Sequence, residues 1–262
     1  MTSVLEFQRY KKRSKPISVI TCYDYWSAKI IDETSIDAVL VGDSVAMVMH
    51  GYDTTVNANL EMMKLHISAV RKGLKNKFLI ADMPFLTHRK GLKYLIESVD
   101  DVMKCGAQAV KIEGANGHLE AISHVIDSGV PVMGHIGLTP QSVHQLGGFK
   151  VQGKNDEQAK HLIDDAKSLE QAGCFAIVLE MVPSDLAKTI SELVSIPTIG
   201  IGAGQHTDGQ VIVLQDMLGM NKDFSPKFLK KYLDGYELIK SAIDCYDKDV
   251  KEKLFPTKKE SF

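Results

Sequence analysis

The sequence predicts an α/β chain folded as one (β/α)₈ barrel over residues 1–262, with a helical N-terminal segment at 1–15 and a helical C-terminal tail at 226–262. Three observations predict it. Short apolar runs alternate with amphipathic stretches about eight times across 262 residues, a rhythm and length that suit one closed parallel barrel better than an open doubly wound sheet. Three successive runs, around Val39–Val41, Phe78–Ala81 and Ala109–Ile112, lead into Asp43, Asp82 and Glu113, and parallel barrels keep their chemistry at the carboxyl ends of their strands. Finally, Gly106-Ala-Gln-Ala-Val-Lys-Ile-Glu113 is echoed 67 residues later by Gly173-Cys-Phe-Ala-Ile-Val-Leu-Glu180, and Val130-Pro-Val-Met-Gly134 is echoed 66 residues later by Ile196-Pro-Thr-Ile-Gly200. Such spacing is expected of repeated βα units.

Taken in order, Val4, Leu5 and Phe7 among charged residues suit a short helix that plugs the lower end of a barrel. Ile17–Thr21 reads as the first strand, followed by Cys22-Tyr23-Asp24-Tyr25 and an amphipathic stretch to Glu33. The second strand is Ala38–Val41. A long connection through His50–Thr55 precedes a helix at about Leu60–Lys72, whose apolar face carries Leu60, Met63, Ile67 and Val70. Pro84 stops the third strand, Phe78–Ala81, and Gly106 ends a helix at Leu92–Lys104. In the fourth strand, Ala109–Glu113, the period of two sends Lys111 and Glu113 to one face, into the barrel. A helix at Leu119–Asp127 leads to a fifth strand, Val130–Gly134, then to His135–Gln141 and a glycine-rich loop ending at Gly153. The helix Glu157–Gln171 leads to a sixth strand, Ala176–Leu179, that closes on Glu180. Pro197–Ile199, before Gly200-Ile-Gly-Ala-Gly204, and Val211–Leu214 complete the eight.

The formal net charge of -2 argues against nucleic acid or an anionic membrane as main partner, and Lys11, Lys12, Arg13 and Lys15 read as a solvated helix end. No run approaches the roughly 18 apolar residues of a membrane span, and the N-terminus has no apolar leader region. Cys22, Cys105, Cys174 and Cys245 form no C-x-x-C pair, so zinc loses its spacing signal and reduced thiols in a cytoplasmic protein are expected.

Asp43, Asp82 and Glu113 form an oxygen-only set without thiolate or imidazole, which suits Mg²⁺. The competing reading is that each caps the helix after its strand. Lys111 is either half of a buried ion pair with Glu113, a cation for a substrate carboxylate or carbonyl oxygen, or a Schiff-base lysine, and the adjacent acid counts against the last. Glu180, followed by Met181, Val182 and Pro183, is expected in an apolar setting that raises its pKa and makes it a competent base. Gly200–Gly204 reads first as backbone clearance and second as an anion loop. His135 is a structural histidine or a donor to a substrate oxygen. Ser44 lacks a G-x-S-x-G elbow and reads as a hydrogen-bonding group.

These stretches resemble the ketopantoate hydroxymethyltransferase family. The matching motifs are Thr21-Cys-Tyr-Asp-Tyr25, Leu40-Val-Gly-Asp-Ser44, Ala81-Asp-Met-Pro-Phe85, Val110-Lys-Ile-Glu-Gly114, Gly134-His-Ile-Gly-Leu-Thr-Pro-Gln-Ser142, Val151-Gln-Gly153, Leu179-Glu180, Ile199-Gly-Ile-Gly-Ala-Gly204 and Thr207-Asp-Gly-Gln210, in family order along almost the whole chain. The resemblance implies a (β/α)₈ barrel, Mg²⁺, 5,10-methylenetetrahydrofolate as one-carbon donor, a step in pantothenate and coenzyme A synthesis, and a large homo-oligomer, commonly a decamer. It implies Asp43 and Asp82 as metal ligands, Glu113 as a third metal-associated acid, Asp43, Ser44, Asp82 and Lys111 as substrate contacts, and Glu180 as the proton acceptor. Departures are Cys22 where alanine is common and His50-Gly-Tyr52 where Gln-Gly-His is common. The runner-up is a Mg²⁺-dependent carbon–carbon lyase of the isocitrate lyase and phosphoenolpyruvate mutase type, disfavoured by the absence of a Lys-Lys-Cys-Gly-His-like segment. A non-catalytic keto-acid-binding barrel is disfavoured by the presence of Glu180.

Overall fold

The computed structural model describes residues 3–262, the side chain of residue 146 excepted, so the first two residues of the expected N-terminal segment lie outside the described residues. The chain forms two compact units, one ending at Ile212 and the other spanning Val213–Phe262. In the first, eight parallel strands close into a barrel in sequence order, with the last paired to the first. They are β1 (Ile17–Thr21), β2 (Ala38–Val41), β3 (Phe78–Asp82), β4 (Ala109–Glu113), β5 (Val132–Gly137), β6 (Ala176–Glu180), β7 (Thr198–Ile201) and β8 (Gly209–Ile212). The expected (β/α)₈ barrel is therefore observed. Strands β2, β3 and β4 are buried along their whole length. Both faces being covered, they read as continuous apolar runs rather than alternation.

The helices of this unit are α1 (Val4–Lys12), α2 (Tyr25–Asp32), α3 (Val45–Val48), α4 (Leu60–Gly73), α5 (Leu92–Lys104), α6 (Leu119–Asp127), α7 (Val143–Leu146), α8 (Asp156–Gln171) and α9 (Ser184–Leu193). Side-chain caps start three of them: Asp24, Asn59 and Asn155 accept the amides of Ser27, Met62 and Gln158. Helix α1 does plug the barrel base. Phe7 is fully buried and meets Phe78 and Phe175 edge-on, at centroid distances of 5.8 and 5.2 Å. Above it Ile17, Val19, Leu40, Ile80, Met133, Val178 and Val211 continue the core.

Strands β3 and β6 each run one residue beyond their expected ends, to Asp82 and Glu180, and β5, β7 and β8 differ more. Strand β5 begins at Val132, because the Val130 amide closes onto Val125 O and Pro131 has no N–H to give. It then runs through His135 to Gly137, which pairs with Glu180. His135 is thus a strand residue rather than a loop residue. Strand β7 is shifted the same way by Pro197. Strand β8 starts at Gly209, a weak strand former that is needed there because a Cβ would sit 2.8 Å from that of Ile17, and Leu214 already belongs to the next helix. The helix α9 and the single-turn helix α3 are also absent from the sequence reading. The echo is real in three dimensions, since Glu113 and Glu180 each close a five-residue strand.

The second unit contains α10 (Leu214–Met217) and α11 (Gly235–Lys251). Of the expected helical tail from residue 226, only α11 is α-helical. Among the described residues no helix is long and apolar enough to cross a membrane.

Candidate active site

The acids predicted at three strand ends do meet. Asp43, Asp82 and Glu113 are all buried, at the carboxyl ends of neighbouring strands β2, β3 and β4. None caps its own helix. The Asp82 Oδ2 atom accepts the Asp43 amide at 3.0 Å, Asp43 Oδ2 accepts Gln141 Nε2 at 2.7 Å, and Glu113 Oε2 accepts the Gln141 amide at 3.1 Å. Gln141 also donates to Met83 O at 3.0 Å. This buried side chain, in a short 3₁₀ turn opened by Pro140, ties the loops after β2, β3 and β5 together. No polarity pattern in the sequence marks it, because its partners are all distant in the chain.

Lys111 points into the barrel as its strand period requires, but its nearest neighbours are Asp82 and His135 Nδ1, each at 3.1 Å, with Glu113 at 4.0 Å. Burial works against its charge, yet the carboxylates of Asp82, Glu113 and Asp43 outweigh it and hold the ammonium above the ordinary lysine range. That counts against a neutral amine nucleophile. Burial, reinforced by the charges of Asp82 and Glu113, raises Asp43 well above the usual carboxylate range. Glu113 ends below it, because His135 and Lys111 overcome the cost of its burial.

His135 stands between two acids, with Nδ1 3.2 Å from Glu113 Oε1 and Nε2 3.2 Å from Glu180 Oε2. Burial and the Lys111 ammonium oppose its protonation, but the Glu113 carboxylate, with Glu180 on the other side, carries it up to about 9. Its Nδ1 also lies 3.1 Å from the Lys111 ammonium, so one ring nitrogen is shared between a carboxylate and a cation while the other faces Glu180. The expected apolar setting for Glu180 is not found. Its side chain is 19% exposed, against 4% for Glu113, so it is the acid of this group open to a ligand. Gly137 brings β5 against it: its φ is +95°, and a Cβ there would collide with the Glu180 carbonyl.

Ser44 is partly buried, and its Oγ lies 2.8 Å from the hydroxyl of Tyr23. Gly200 and Gly204 are backbone clearance, since added Cβ atoms would strike Thr207 and Ser184. Asp24 is committed to its helix cap. Four acidic side chains, Asp43, Asp82, Glu113 and Glu180, therefore gather around Lys111 and His135 at one end of the barrel.

The family model of ketopantoate hydroxymethyltransferase matches residues 1–258. The chain belongs to this family. It is 58% identical to the 3-methyl-2-oxobutanoate hydroxymethyltransferase of Coxiella burnetii (strain Dugway 5J108-111), over 96% of this chain and 95% of that one. It is 54% identical to the protein of the same name from Bdellovibrio bacteriovorus, over the full length of both. Among solved structures, 2,3-dimethylmalate lyase, a PEP mutase/isocitrate lyase superfamily member, superposes with a TM-score of 0.62 at 15% identity, covering 100% of this chain and 92% of that one. Phosphonopyruvate hydrolase superposes with a TM-score of 0.63 at 10% identity, covering 99% and 93%. At such identities these two establish the shared barrel and nothing about chemistry.

Proposed function

We propose that the chain transfers a hydroxymethyl group from 5,10-methylenetetrahydrofolate to 3-methyl-2-oxobutanoate, giving 2-dehydropantoate for pantothenate and coenzyme A synthesis. The observation that carries this reading is the Glu180 carboxylate, open to a ligand and anchored by His135, at the rim that also holds Lys111 and three buried acids. Lys111 and Ser44 bind the keto-acid carboxylate, one by charge and one by hydrogen bond. His135 holds Glu180 Oε2, which leaves Oε1 to accept the C3 proton. The resulting enolate carbon bonds to the one-carbon unit of the folate as one of that unit's two C–N bonds breaks, the freed nitrogen taking up a proton; water then replaces the second C–N bond, giving the hydroxymethyl product and tetrahydrofolate.

The Mg²⁺ that the family implies fits these residues. Asp82 Oδ1 and Glu113 Oε1 are buried at ion-pair distances from Lys111 and His135 but off hydrogen-bond geometry, which leaves two buried acceptor oxygens on neighbouring strands for a hard cation. Among the described residues no three His, Cys, Asp or Glu side chains form a ready ligand shell, and Mg²⁺ asks for less, keeping several waters and taking one or two carboxylates. Asp43, Asp82 and Glu113 would hold it, in part through water. When bound, it supplies positive charge beside the keto-acid oxygens, where enolate charge develops.

The family also leads us to expect a homo-oligomer, commonly a decamer, and exposed Trp26, Ile30 and Leu65 on α2 and α4 support self-association. Light scattering that returns a monomer would reject it. Four free thiols support a cytoplasmic setting. The activity itself is tested by incubating the protein with 3-methyl-2-oxobutanoate, methylenetetrahydrofolate and Mg²⁺ and identifying the product by mass. Formation of 2-dehydropantoate is expected, and its absence with a folded protein overturns the reading.

A further inference from the structure

We propose that Tyr23 is a positioning residue of the keto-acid site, aiming the Ser44 hydroxyl proton at the substrate carboxylate; this rests on the reading of Ser44 as a substrate contact. Tyr23 lies just beyond β1 and is completely buried. Its hydroxyl contacts Ser44 Oγ at 2.8 Å and is also bonded by the Thr21 side chain. Three hydroxyls in a row have only one proton each, so the direction of the chain decides what Ser44 presents. If the phenol donates to Thr21, Ser44 gives its proton back to Tyr23 and turns a lone pair to the pocket. If the phenol donates to Ser44, the serine proton is free. A substrate carboxylate only accepts hydrogen bonds, so an anionic ligand selects the second arrangement.

The backbone that carries the ring is held on both sides. At its other end the Tyr23 carbonyl accepts from His66 Nδ1 at 2.6 Å, which places that ring's proton on Nδ1, and the next residue, Asp24, caps α2. His66 Nε2 in turn meets His50 Nε2 at 2.9 Å. Beneath Ser44, Gly42 keeps the space open, since a Cβ there would lie 2.8 Å from the serine oxygen. Strand, histidine and cap thus fix the ring, and Ser44 is the group through which it reaches a ligand.

The test is a double-variant cycle of Tyr23→Phe and Ser44→Ala, read by the KM and Kd for 3-methyl-2-oxobutanoate, by kcat, and by the thermal midpoint. Tyr23→Phe keeps the ring in the core and removes only the hydroxyl. Each single variant is expected to raise KM and Kd roughly 3- to 10-fold, the range of one hydrogen bond, and Tyr23→Phe should do so with kcat changed far less than KM. The double variant should bind no worse than Ser44→Ala, because Tyr23 then has nothing to aim. Additive losses, or a Tyr23→Phe variant with wild-type KM, overturn the role of Tyr23 while leaving that of Ser44 intact. An unchanged KM in Ser44→Ala overturns both. If Tyr23→Phe does not fold, 3-fluorotyrosine at position 23 keeps ring and hydroxyl but makes the proton more acidic. It should lower Kd roughly twofold only when Ser44 is present, and the same Kd change in the Ser44→Ala background overturns the proposal.

Discussion

Glu180 is the proposed proton acceptor, and a base that forms an enolate should exchange the C3 proton of the keto acid with solvent even without folate. Glu180→Gln removes the proton acceptor at constant size, so exchange and turnover should both fall by roughly 10²- to 10⁴-fold while keto-acid binding persists. Deuterium incorporation at the wild-type rate in this variant, with turnover lost, would assign Glu180 to a later step. Lys111 gives a second expectation. Its ammonium lies 3.1 Å from Asp82 and is held charged by the surrounding carboxylates, so borohydride should trap no substrate adduct. A substrate-dependent covalent mass on Lys111 would move the enzyme to the lysine-aldolase class.

At the scale of elements, α1 is fastened to the barrel base by one ring. Phe7 is enclosed by Phe78 and Phe175, and Phe7→Ala should cost about 3–5 kcal/mol of stability in denaturant titration. The acids sit at the opposite end of the strands, so the folded variant should retain its kcat. A loss under about 1 kcal/mol would mean that α1 docks without this anchor. The loop after β3 carries a pH dependence. Burial, with the charges of His118 and Arg89, lowers His88 to about 4, whereas in the unfolded chain it returns to about 6.5. Between those values the unfolded chain binds a proton that the folded chain refuses, so stability falls as pH drops through that window. His88→Asn should flatten the slope of urea midpoint against pH there, and an unaltered slope would show that His88 contributes none of it.

For the whole molecule, the site gathers the oxygen donors Asp43, Asp82 and Glu113 at one barrel rim, so metal removal is expected to abolish turnover and added Mg²⁺ to restore it. Full activity after exhaustive chelation would refute the metal assignment. The sequence by itself determined the barrel, the strand-end acids Asp43, Asp82, Glu113 and Glu180, and the inward face of Lys111, because burial on both faces makes each strand a continuous apolar run and the period of two fixes which side chains point in. It did not determine where β5, β7 and β8 begin, since Pro131 and Pro197 shift the ladder by removing donors and Gly209 is chosen for clearance rather than strand propensity. Nor did it show that Lys111 pairs more closely with Asp82 than with Glu113, that His135 joins Glu113 to Glu180, that Gln141 ties three loops, or that Tyr23 reaches Ser44. These contacts follow from the closed barrel, because such bonds join residues far apart in the chain, and closure sets their distances while leaving no periodic trace in the order of the amino acids.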